Sequence, residues 1–192
     1  MIAIIEYNAG NIMSVANALK RLGYESRVTR DHDEIRSAEK VIFPGVGEAS
    51  GAMRYLRNEG LDRLLVSLRQ PVLGICLGLQ LMCRRSDEGN TEGLGIFDAD
   101  VLLFPPLDRI PHMGWNTLNR TSGALFREVA VETDYFFVHS YYAELSQYTV
   151  AECDYIMPFS AAFARDNFYA TQFHPEKSGP AGEVILKNFL NL

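Results

Sequence analysis

Through the first half of the chain, short apolar blocks alternate with amphipathic stretches, and that alternation restricts the fold more than any other feature. Ile2 to Tyr7, Tyr24 to Val28, Lys40 to Phe43 and Val72 to Ile75 read as strands: apolar, a few residues long, and bounded by turn residues. Helical patterns lie between them at Ile12 to Leu22, Ala49 to Asn58 and Leu61 to Leu68. Asp31 and Glu34 have the spacing of a capping box for a further short helix. Strands joined in this way make βαβ units and a parallel sheet. From about Gly93 the texture changes. Val101 to Phe104, Tyr135 to Val138, Thr149 to Cys153, Ala161 to Arg165 and Asn167 to Phe173 read as strands spaced by turns, several of them antiparallel, and Gly182 to Leu192 reads as a closing helix. The expected class is α/β: an open, mostly parallel sheet flanked by helices, with a strand-rich, partly antiparallel second half. No repeat, linker or low-complexity tract divides the chain, so residues 1–192 are expected to form a single domain.

Composition narrows the function classes. The chain is 47% hydrophobic and 22% charged, ordinary for a globular protein, which excludes a disordered or collagen-like chain. A formal charge of −6 without a basic block argues against nucleic acid or an anionic membrane as the main partner. The start, Met-Ile-Ala-Ile-Ile, has no basic n-region, and the longest apolar stretch, Val72 to Cys83, falls short of the ~20 residues that span a bilayer. Three cysteines, Cys76, Cys83 and Cys153, are odd in number and widely spaced, which points to a reducing, cytoplasmic setting.

Three segments can carry chemistry. Gly74-Ile75-Cys76-Leu77-Gly78 follows an apolar strand and precedes a helical stretch, Leu79 to Arg84, the arrangement of a nucleophile elbow with Cys in place of Ser. The flanking glycines permit the sharp turn, a helix N-terminus favours thiolate over thiol, and the Leu77 N–H can face an oxyanion. The same pentapeptide also suits a small buried cysteine between packing glycines. Cys83 and Cys153 read as structural thiols. In Thr171-Gln172-Phe173-His174-Pro175-Glu176, Pro175 biases His174 towards extended backbone, where His174 and Glu176 share a face. A carboxylate beside an imidazole fixes its tautomer, although a surface His and Glu at a strand end would look the same. Pro44-Gly45-Val46-Gly47 can offer backbone N–H groups to an anion or oxyanion. With Gly51 it also loosely imitates a dinucleotide fingerprint, but the spacing is wrong and no acidic residue follows at the expected distance. His32, His112, His139 and His174 are scattered, no Cys or His pair has metal-ligand spacing, and no phosphate loop is present, so neither a metal nor a cofactor is expected. The segment Ile110-Pro111-His112-Met113-Gly114-Trp115-Asn116 serves equally well as core packing or as a partner surface.

Taken together, these blocks resemble the class I, triad-type glutamine amidotransferase family. Tyr7-Asn8-Ala9-Gly10-Asn11, Pro111-His112-Met113-Gly114-Trp115-Asn116, Phe137-Val138-His139-Ser140-Tyr141-Tyr142 and His174-Pro175-Glu176-Lys177-Ser178-Gly179 narrow the resemblance. They are similar to the branch whose glutaminase subunit feeds a separate cyclase in histidine biosynthesis. The resemblance runs from about Ile2 to Leu192 and implies glutamine as substrate and a Cys76–His174–Glu176 triad. It implies an oxyanion site at Val46, Gly47 and the Leu77 N–H, and glutamine contacts from Gln80 and the Ser140–Tyr141 backbone. It further implies a heterodimer with a cyclase of (β/α)₈ fold, through which ammonia passes to a ribulosyl-linked aminoimidazole carboxamide nucleotide. Asn8, Asn11, Met113, Trp115 and Lys177 would face that partner or the ammonia passage. The alternative is a relative with the same glutaminase chemistry and another acceptor, such as a sugar-modifying amidotransferase.

Overall fold

The computed structural model of the chain describes residues 1–7, 10–130 and 132–192. The four apolar blocks of the first half form strands β1 (Ile2–Ile5), β2 (Ser26–Thr29), β3 (Lys40–Gly45) and β4 (Val72–Cys76). The amphipathic stretches between them form helices α1 (Ile12–Arg21), α2 (His32–Ser37), α3 (Ala49–Asn58) and α4 (Leu61–Ser67). Asp31 caps α2 by accepting from the Asp33 and Glu34 N–H groups, but the reciprocal half of the capping box is missing. The Glu34 carboxylate pairs with Arg27, and the Asp31 N–H donates to the Thr29 hydroxyl instead.

Helix α5 (Leu77–Met82) follows β4 directly, and Cys83 then opens strand β5 (Cys83–Ser86). The helix expected over Leu79 to Arg84 therefore begins and ends earlier. The carbonyls of Leu81, Met82 and Cys83 accept from the N–H groups of Leu94, Ile96 and Gly95, which draws the chain out of the helix. The remaining elements are β6 (Thr91–Glu92), β7 (Phe97–Leu103), β8 (His112–Thr121), β9 (Asp134–His139), β10 (Tyr141–Ala143), β11 (Thr149–Asp154), β12 (Pro158–Arg165), β13 (Phe168–Thr171) and helix α6 (Gly179–Leu190).

Nine strands make one mixed sheet in the order β2-β1-β3-β4-β13-β12-β11-β8-β9, and β10-β7-β5-β6 make a second. The first five strands of the large sheet are parallel and the rest are antiparallel, as the change of texture along the sequence implies. Alternate residues of the parallel strands feed two apolar layers, the period-2 rule for a sheet covered on both faces. Ala3, Ile5, Val41 and Phe43 pack with α3 and α4, whereas Ile2, Ile4, Ile42 and Ile75 pack with α1 and α6. Because β3, β4 and β13 are parallel neighbours, their C-terminal ends open at the same edge. That edge receives Gly45, Cys76 and the loop carrying His174. Among the described residues no helix is long and apolar enough to cross a membrane.

Candidate active site

Cys76 closes β4 opposite Gly45 of β3 and is also the residue from which α5 starts. Its backbone, φ 54° and ψ −105°, lies outside the regions open to ordinary L-residues, a strain tolerated only where the surroundings dictate it. Those surroundings are glycines. A Cβ on Gly78 would sit 1.9 Å from the Phe43 carbonyl oxygen, and one on Gly74 would sit 2.5 Å from Met82 Sδ. Helix α5 therefore starts pressed against β3, and the turn throws the Cys76 side chain to the sheet edge.

The His174 ring is fully buried. The backbone N–H of His174 donates to the Phe136 carbonyl at 2.9 Å, and its backbone carbonyl accepts from Ser178 Oγ at 2.7 Å, so strand β9 clamps the loop after β13. His174 Nδ1 lies 2.8 Å from Glu176 Oε1. The pairing expected from the sequence is present, but for another reason: Pro175–Lys177 form a 3₁₀ turn, so Glu176 reaches the imidazole by curling back and not by sharing a strand face. The Asn11 amide also donates to Glu176 Oε1. Burial alone would lower the His174 pKa; the Cys76 sulfur and the Glu176 carboxylate outweigh it and raise the imidazole to about 10.

Cys76 opens onto a cavity of about 300 Å³ lined by Val46, Gly47, Leu77, Gln80, Glu88 and the Val138–Tyr141 segment, with Pro111 at its edge. That volume lies at the small end for ligand pockets and suits a single amino acid. The Leu77 N–H begins a helix and so has no acceptor within it, and Val46 and Gly47 form the facing wall. Gly47 has φ +136°, a conformation that favours glycine, and the Val46 carbonyl accepts from the Gly10 N–H at 3.3 Å. Gln80 is buried, and its amide donates to the Tyr141 carbonyl at 3.0 Å and to Gln172 Oε1 at 3.1 Å. Ser140 and Tyr141, expected to contact glutamine through their backbone, stand in the cavity wall.

Two residues of this centre were not singled out in the sequence. Gln172 Nε2 donates to Cys76 Sγ at 3.7 Å. Gln172 lies one residue beyond the end of β13, where no strand alternation marks it. Glu88 puts a carboxylate on the cavity wall and accepts from the Ala49 N–H at 2.8 Å. Burial pushes its pKa up, Glu48 adds to this, and the Ala49 N–H opposes it. Glu88 sits in a polar turn that carries no motif, so nothing in the sequence marked it.

The residues expected to face a partner divide. Met113 and Trp115 lie on β8, 71% and 57% exposed, and Lys177 is exposed at the end of the 3₁₀ turn. Asn11, by contrast, turns its amide inward to Glu176. Asn8 lies outside the described residues. Cys83 and Cys153 are buried and free, and donate to the Leu79 and Thr117 carbonyls; burial pushes both thiols up, Cys153 to about 12, as suits structural cysteines. Among the described residues no group of three or more His, Cys, Asp or Glu is placed to hold a metal ion.

A cysteine on a strained strand–helix elbow, with a buried His–Glu pair beside it and the N–H of Leu77 at the start of a helix next to it, is equipped for acyl transfer from an amide. The sequence matches the class-I glutamine amidotransferase family over residues 3–192, and the chain belongs to that family. A solved structure described as a glutamine amidotransferase has the same fold, with a TM-score of 0.77 at 18% identity, covering 100% of this chain and 98% of the other. Within the class, the chain belongs with the HisH subunits of imidazole glycerol phosphate synthase. It is 59% identical to the subunit of that name from Bacteroides fragilis, covering 100% of this chain and 99% of the relative. To the subunit from Escherichia coli it is 45% identical, again over 100% and 99%.

Proposed function

We propose that Cys76 is the nucleophile that releases ammonia from glutamine, with His174 as acid and base and Glu176 as its orienting carboxylate. The Cys76 thiolate adds to the side-chain carboxamide carbon. The oxygen that becomes negative is held by the Leu77 N–H and a backbone N–H of Val46 or Gly47. The tetrahedral adduct collapses, the C–N bond breaks, and the proton on His174 leaves with ammonia. The resulting glutamyl thioester is attacked by water, which gives its proton to His174, and glutamate departs as the thiolate is restored. Gln80 and the Ser140–Tyr141 backbone hold the substrate, and the Glu88 carboxylate is the group on the wall suited to its α-ammonium.

The observation that carries this reading is the strained Cys76 elbow on the wall of a cavity sized for one amino acid, with the buried His174–Glu176 pair beside its sulfur. The likeness to HisH subunits over the whole chain supports the remainder. Residues 1–192 act as one cytoplasmic domain that docks on a (β/α)₈ cyclase through Met113, Trp115 and Lys177, and supplies that cyclase with ammonia for histidine biosynthesis. In the complex, a glutamine-analogue electrophile should label Cys76 alone among the three cysteines, and Cys76→Ala should abolish labelling and glutamine turnover together. An unlabelled Cys76 in a complex that still consumes glutamine would overturn the assignment. A cyclase whose glutamine-driven turnover is unchanged by adding this chain would overturn the choice of partner.

A further inference from the structure

At the glutamine cleft, whose wall includes His139, two buried histidines absent from that mechanism lie end to end. His139 Nδ1 is 2.7 Å from the Tyr141 carbonyl oxygen, and His139 Nε2 is 3.0 Å from His112 Nδ1. His112 Nε2 is 3.2 Å from Asn116 Nδ2, which also donates to the Asp154 carbonyl at 2.9 Å, while Asn116 Oδ1 accepts from the Thr117 N–H at 2.8 Å. Both ends of this row are therefore backbone groups, and they dictate where every proton lies. A carbonyl oxygen only accepts, so His139 must carry its proton on Nδ1, which leaves Nε2 bare. His112 must then donate from Nδ1, which leaves its own Nε2 to accept from Asn116. The Asn116 amide can present only its NH₂ there, because Thr117 and Asp154 set its orientation. A proton added to His139 Nε2 would face the N–H of His112, so the row is complete only with both rings neutral. Burial among Phe104, Phe137, Tyr155 and Phe159 favours that state and lowers both pKa values, to about 4 for His112 and about 3 for His139.

The inner end is the important one. The Tyr141 carbonyl that His139 holds is the same one that accepts from Gln80, and Gln80 in turn anchors Gln172 beneath the Cys76 sulfur. We propose that His112 and His139 are positioning residues: a one-way hydrogen-bonded relay from Asn116 sets the Tyr141 carbonyl, and through it Gln80 and the Ser140–Tyr141 wall of the glutamine cleft. The inference rests on the glutaminase reading above. It assigns to the His112 and His139 pair the precision of glutamine binding and no part of bond breaking.

His112 does not line the cavity, so it can be altered without touching the substrate. His112→Phe keeps a ring to stack on Phe137 and Tyr155 but leaves His139 Nε2 without its donor, so the His139 ring is held only at its Tyr141 end. In the complex with the cyclase, this variant should raise KM for glutamine about tenfold, the scale of one lost hydrogen bond, and change kcat much less. His112→Asn places an N–H near the Nδ1 position and should bring KM back towards wild type, although the smaller side chain costs more stability than Phe does. Stability and KM would then move in opposite order across the pair, which a purely structural role cannot produce. Should His112→Phe not fold, Asn116→Leu removes the donor at the outer end and should raise KM a few-fold. An unchanged KM in whichever of the two folds, or a folded His112→Asn with the KM of His112→Phe, would overturn the relay. Imidazole nitrogen chemical shifts test the relay without reference to turnover: both rings should be neutral Nδ1–H tautomers at neutral pH, and any other form overturns the proposal. A wild-type complex that consumes no glutamine would instead bring down the reading beneath it.

Discussion

Gly78 and His174 show how much at this site rests on single atoms. An added methyl at Gly78 would meet a backbone oxygen of β3 and not the yielding end of a side chain, so the clash can be relieved only by moving α5 and Cys76 with it. Gly78→Ala should therefore cost about 1–3 kcal/mol in urea unfolding, and glutamine turnover should fall further than stability does. Wild-type stability would mean that α5 can back away from β3 freely. For His174 the sign follows from its raised pKa. On the proposed mechanism the proton on His174 leaves with ammonia, and a pKa raised to about 10 keeps that proton in place into alkaline solution. Turnover should hold into alkaline solution and then fall. Glu176→Gln removes one of the groups that keep the ring charged, so the alkaline limb should move about one unit or more towards neutrality. A limb that stays in place would show that Glu176 orients the ring without contributing to its charge.

At the scale of elements, β8 and β9 are joined by more than their ladder. His112 pairs with His139 in strand register, and their ring nitrogens pair as well. Both imidazoles titrate near 6.5 in an unfolded chain and well below that here, so on acidification the unfolded chain takes up protons first. Their contribution to stability is complete above about pH 6.5 and is lost as pH falls towards 4 for His112 and 3 for His139. Between pH 7 and pH 4.5 that loss is about 2 kcal/mol per ring. Chemical denaturation across this range should fall less steeply for His112→Phe than for wild type, and parallel curves would count against buried neutral histidines.

On the scale of the whole molecule, the large sheet must curl, because its edge strand β9 returns to touch the loop after β13. Phe136 takes the His174 N–H, and the Val138 carbonyl lies 3.8 Å from Cys76 Sγ. Met113 and Trp115 on β8 remain largely exposed, with the Trp115 ring meeting Phe136 of β9 edge to face. Trp115→Ala should weaken cyclase binding by about 2 kcal/mol or more in titration calorimetry while leaving the melting temperature nearly unchanged. A fall in stability with intact affinity would make Trp115 a core residue after all. A glutaminase working without its acceptor would waste glutamine, so turnover should rise sharply when a ligand-loaded cyclase is present. Equal rates with and without it would refute that coupling.

The layered α/β core, the Cys76 elbow and the His174–Glu176 pair were legible in the chain, because each is set by neighbours a few residues apart. Apolar period and turn chemistry place β1, β3 and β4, and glycines at fixed offsets make the elbow. Strand β8 was not legible. His112 to Thr121 lacks a clean apolar alternation, and it is held as a strand by pairing with β9 and β11 on either side. Glu88 in the cavity wall, Asn11 against Glu176, and the row from Asn116 to Tyr141 depend on contacts between residues far apart in sequence, and such contacts leave no local pattern. By itself the sequence determined the strand–helix elbow that carries Cys76 and the layered fold around it. Only the tertiary structure decided what surrounds that cysteine, because the curl of the sheet brings its far edge back to the site.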